Sequence, residues 1–85
     1  MQVTGAVIRE QGVTFAVVIV KPHVVANAHD AQEAIAGLMP AFRAPVVLMA
    51  QDGHGQPTFY GRPDLARFMS NVPVSAIPWK RYTIH

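Results

Sequence analysis

Two apolar runs constrain this chain most: Val13-Thr14-Phe15-Ala16-Val17-Val18-Ile19-Val20 and Pro45-Val46-Val47-Leu48-Met49-Ala50. Neither alternates apolar with polar residues. A β-branched run of that length fits a strand covered on both faces. Between them, Ala31, Ala34, Ile35 and Leu38 recur at three- and four-residue spacing, which marks an amphipathic helix. A small sheet with helical cover is the expected architecture.

The rest of the chain supplies its neighbours. Val3 to Arg9 reads as a first strand, and Glu10-Gln11-Gly12 as a turn in which Gly12 supplies positive φ. With Val13 to Val20 this makes an antiparallel hairpin. Pro22 cannot donate to a ladder, so pairing is expected to stop at Lys21-Pro22-His23. Val24 to Asn27 then bridges to the helix. Asp30 and Glu33 have capping-box spacing, with Asn27 as a competing N-cap, and Pro40 is expected to close the helix. The link from the second strand to the third has room for a right-handed parallel crossover. Asp52 to Gln56 reads as a turn, and Pro57 to Tyr60 as a short antiparallel strand. Pro63 suits the first position of a second helix, along which Leu65, Phe68, Met69 and Val72 form an apolar stripe until Pro73. Trp79 to Ile84 reads as an edge strand.

The expected fold is one α+β domain over residues 1–85. It has a mixed, mainly antiparallel sheet of four or five strands with two helices, in the order ββαββαβ. The ββα stretch from Pro45 to Val72, with Phe59-Tyr60-Gly61 at its centre, resembles the C-terminal half of a thioredoxin-like fold. The chain departs from that family in having one helix between its second and third strands. It also has no cysteine, which excludes disulfide and thiolate redox chemistry, thiolate zinc sites and iron–sulfur clusters.

Charge narrows the function classes. The net charge of +2 comes from seven cations against five anions, without the Lys/Arg cluster of a typical nucleic-acid protein. Arg9 and Glu10 interrupt the N-terminal region, and the apolar run after them is shorter than the ~20 residues of a membrane span. A cytoplasmic protein without membrane contact is the expectation. Only 14% of residues are charged, against about 25% in ordinary domains. Surface covered by a partner is one consequence of such a composition.

Candidate chemistry is sparse. Parallel second and third strands would share a carboxyl edge, where open sheets hold ligands. Lys21, His23 and Asp52 are the ligand-binding candidates there, with Gln51, His54, Asn27 and His29 nearby in sequence. Lys21 or the helix N-terminus would hold an anion, while His23 or Asp52 would move a proton. Polar strand ends that merely meet water are the plainer reading. Trp79, Lys80, Arg81 and Tyr82 are the nucleic-acid candidates, with cations for phosphates and rings for bases. The alternative there is an edge strand whose cations block aggregation. The four histidines lack metal-ligand spacing, so neither metal nor cofactor is expected. Tyr60-Gly61-Arg62-Pro63-Asp64 could cradle an anion at a helix start; the simpler reading is a tight strand-to-helix turn, with Arg62 meeting Asp64 or solvent.

Two helices in one layer would leave a sheet face bare although the central strands are apolar on both sides. Either the C-terminal segment or a second subunit would have to cover it. The leading expectation is therefore a non-enzymatic interaction or assembly module that binds itself, as a homodimer, or another protein. A small enzyme or small-molecule binder using the strand-end cluster, and nucleic-acid binding through residues 79–82, are the alternatives.

Overall fold

The computed structural model describes residues 1–10 and 12–84. Strands β1 (Gln2–Glu10) and β2 (Val13–Ile19) form the expected hairpin, in register from Glu10 opposite Val13 to Gly5 opposite Val18. Gly12 in its turn has φ +79°; Gln11, expected in the same turn, lies outside the described residues. After β2 the chain makes a short helix α1 (Pro22–Ala26) and a long helix α2 (Ala28–Phe42). It then enters β3 (Val46–Gln51), which runs parallel to β2 with Ala16 opposite Val46. Strand β4 (Pro57–Tyr60) turns back antiparallel to β3 and leads into helix α3 (Pro63–Ser70). A 3-10 turn over Val74–Ala76 precedes β5 (Lys80–Thr83), which pairs antiparallel with β1. The sheet has five strands in the order β4-β3-β2-β1-β5, mixed and mainly antiparallel, as expected for an α+β domain.

The apolar runs occupy central positions, β2 and β3. Their alternate residues feed two separate cores. Phe15, Val17, Val47 and Met49 pack with Leu65 and Met69 of α3 and with Ile77. Ala16, Val18, Val46 and Leu48 pack with Ala31 and Leu38 of α2. Phe15 and Phe68 meet edge to face at 6.4 Å on the α3 side. The helices thus lie on opposite faces in three layers. This corrects the expectation of one helical layer: the domain covers both faces of its sheet itself, and no second subunit is required for that. The C-terminal segment seals an edge by alternation, Trp79 joining the α3 core and Ile84 the α2 core.

Local chemistry explains the element boundaries. Val24 to Ala26, expected as a bridge, belongs to α1, which starts on Pro22 at its first turn. Asn27, not Asp30, caps α2: its Oδ1 accepts from the N–H groups of His29 at 2.9 Å and Asp30 at 3.2 Å. Asp30 sits in the first turn, where it complements the helix dipole. Pro40 does not end α2, which continues to Phe42. Arg43 caps it in the left-handed region at φ 53°, its N–H donating to the Met39 carbonyl at 2.7 Å. Proline removes one donor, and near a helix end that loss spares the turns already formed. The two added residues carry Phe42 to Tyr82, whose ring it meets at 5.1 Å. Helix α3 stops at Ser70 rather than Val72, with Ser70 Oγ donating back to the Ala66 carbonyl at 2.9 Å.

Two glycines should respond oppositely to alanine. A Cβ on Gly5 would lie 2.7 Å from the Val17 carbonyl oxygen, a backbone atom that cannot swing aside, whereas one on Gly37 would meet nothing within 4 Å. Gly5→Ala should destabilise by about 1–3 kcal/mol through overpacking. Gly37→Ala, inside a helix and exposed, should stabilise by about 0.5–1 kcal/mol. Thermal melts of both variants check this; at roughly 4–8 °C per kcal/mol the two midpoints should move in opposite directions.

Candidate functional site

The carboxyl edge of β2 and β3 forms as expected. Lys21 stands at the N-cap position of α1, its carbonyl accepting from Val24 N–H at 3.0 Å, and its side chain is exposed. His23 is exposed on α1. Asp52 is also exposed, but its Oδ1 already accepts from the His54 N–H at 2.8 Å and the Gln56 N–H at 3.0 Å. Gln51 Nε2 reinforces the same turn by donating to the Gly55 carbonyl at 3.1 Å. The turn thus engages Oδ1 of Asp52 in its own backbone. Among the described residues no hydrogen bond or ion pair joins Lys21 or His23 to Asp52. No three His, Cys, Asp or Glu side chains among them group to hold a metal; His85 lies outside the described residues. His29 instead faces Glu33 one turn on, at 3.6 Å.

The basic aromatic segment is divided by strand alternation. Trp79 packs into the α3 core and its Nε1 donates to the Val74 carbonyl at 3.2 Å. Tyr82 packs on Phe42 beneath α2. Arg81 donates to Gln2 Oε1 at 2.8 Å across the strand pair. Successive side chains of β5 point to opposite faces, so Lys80 shares a side with Tyr82, and Arg81 a side with Trp79. Both rings are half-buried while both cations are exposed. The edge therefore presents one cation on each face beside a ring held in packing, rather than a row of stacking platforms.

The Tyr60-to-Asp64 turn is a structural joint. A Cβ on Gly61 would come within 3.1 Å of the Val46 carbonyl oxygen and Val47 Cα, so the turn lies directly on β3. Arg62 then grips Asp64 with two bonds of 2.8 Å, Nε to Oδ1 and Nη2 to Oδ2. The guanidinium hydrogen bond holds the Asp64 carboxyl below its ordinary pKa and raises that of Arg62.

The surface of α2 carries a feature that the sequence reading passed over. The N-terminal half of the helix exposes His29, Asp30, Gln32 and Glu33. The C-terminal half exposes Ala36, Gly37, Met39, Pro40 and Ala41, with no charged or hydrogen-bonding side chain among them. Met39 is 43% exposed. Beside it lies an open hollow walled by Ala36, Pro40, Arg43, Ala44 and Pro45, and a second one reaching to Tyr60 and Gly61. Along the other flank runs a cleft of about 310 Å³, where Gly37 leaves space above Met1, Val3, Val18 and Val20. Soluble helices normally turn a polar face to water. The legible signal was the uncharged run Ala36-Gly37-Leu38-Met39-Pro40-Ala41-Phe42, obscured because Pro40 reads as the helix end.

Comparisons with protein families, characterised proteins and solved structures find no match for this chain. No helix among the described residues is long and apolar enough to cross a membrane.

The Arg62–Asp64 pair sets a pH expectation. Because the folded-state pKa of Asp64 is lowered, its contribution to stability is present above the ordinary aspartate pKa. That contribution is lost as pH falls through the lowered value. An NMR titration should find Asp64 titrating below the usual aspartate range, and Arg62→Gln should return it there. An unshifted Asp64 in the parent protein would contradict the pairing.

Proposed function

We propose that this protein is a small interaction or assembly module that works through protein contacts rather than chemistry on a substrate, with the C-terminal half of α2 as its contact surface. The exposed apolar stretch Ala36, Gly37, Met39, Pro40 and Ala41 is the observation that carries the reading. None of those residues belongs to either core, and apolar surface of this kind gains free energy when a partner removes it from water. Met39 suits such a surface, because its flexible thioether adapts to the shape it meets. Hollows on both flanks give a partner's side chains somewhere to seat. The low charge of the whole chain points the same way.

A fluorescent dye that responds to apolar surface tests this. Dilute native protein should enhance its emission, and Ala36→Glu with Met39→Glu should remove most of that enhancement. Both positions are exposed, so circular dichroism should stay unchanged. Undiminished emission in the folded double variant would place the accessible apolar surface elsewhere and defeat the assignment.

A further inference from the structure

We infer that the partner on α2 is a second copy of this chain, docked so that the two α2 helices run antiparallel about a two-fold axis near residue 38. The inference rests on the reading of α2 as a contact surface and names what occupies it. Charge along the helix decides the orientation. Glu33 projects from the outer surface near the start of α2, and Arg43 caps its end; both are exposed. Among the described residues Arg43 has no carboxylate within ion-pair distance, and Glu33 has only the 3.6 Å contact with His29.

In an antiparallel pair centred on residue 38, Arg43 of each copy meets Glu33 of the other, twice by symmetry. Ala36 meets Pro40 across the axis. A parallel pair would set Arg43 against Arg43 and Glu33 against Glu33, which repel. The helix dipoles also favour the antiparallel arrangement. Ala36, Gly37, Pro40 and Ala41 are small, so the backbones can approach closely. A symmetric, self-complementary patch is what a two-fold dimer requires.

The patch also bounds the affinity. Five exposed apolar residues fall well short of the roughly 20–30 residues a side of a standard stable interface. The dimer should therefore be weak and visibly concentration-dependent.

Sedimentation velocity of the full chain across a concentration series tests this. The native protein should shift from monomer toward dimer as concentration rises. Ala36→Glu should abolish the shift. Arg43→Glu alone and Glu33→Arg alone should each weaken dimerisation by at least about five-fold, because each removes two exposed ion pairs and sets like charges against each other. Combining both reversals in one chain should restore it, because the swapped charges pair again. Restoration separates a specific cross-helix pair from general loss of folding or solubility. A protein that stays monomeric throughout would overturn self-pairing while leaving α2 as a surface for a different protein. A dimer indifferent to Ala36→Glu would overturn both the pairing and the choice of α2. A dimer lost with Ala36→Glu but not rescued by the double reversal would keep α2 and refute the antiparallel register.

Discussion

Everything in this domain depends on central strands that are apolar on both sides. Phe15 and Val17 of β2 point one way, Ala16 and Val18 the other, and all four are fully buried. A sheet built on such strands cannot leave a face to water, since each buried valine or phenylalanine side chain contributes about 1.5–3 kcal/mol relative to exposure. The crossover from β2 to parallel β3 puts α1 and α2 on one face. The Gly61 joint, pressed onto β3, delivers α3 to the other. With β5 on the edge, the chain closes two cores in 85 residues.

Much of this was legible because the residues concerned obey one rule at a time. The uninterrupted Val13 and Val46 runs, the turn chemistry at Gly12 and Asp52, and the Leu65–Met69 stripe all became the elements they suggest. The strand-strand-helix order of residues 45–72 is present as β3, β4 and α3, while the comparisons match no solved structure. Competing signals were harder. Asn27 and Asp30 both offer a cap, and only the backbone entering the helix chooses between them. Pro40 reads as a stop, yet the helix passes through it and ends at the left-handed cap of Arg43. Which face a helix takes is not written in its own periodicity, since an amphipathic stripe fits either side of an apolar strand. The opposite placement of α2 and α3 was therefore out of reach.

The same limits apply to function. Polar strand ends were visible in the sequence, but the structure engages Asp52 in its own turn. The cations and rings of residues 79–82 form a continuous cluster along the chain, whereas alternation splits them between faces. The apolar half of α2 became apparent only once the helix was known to extend past Pro40 with Leu38 turned inward and Met39 outward. What draws attention there is not a motif but a missing polar face, and absence of charge is easily overlooked in a sequence that is apolar elsewhere for good reason.

The central claim is that this chain covers both faces of its own sheet and exposes an apolar stretch on the C-terminal half of α2. Paramagnetic relaxation by an inert soluble probe, read at side-chain methyl groups in dilute solution, tests it most directly. Methyls of Val17, Val47, Val18 and Leu48 should be shielded alike, while those of Ala36, Met39 and Ala41 broaden strongly. Strong broadening of Val17 and Val47, or of Val18 and Leu48, would show one face of the sheet open to solvent and contradict the account.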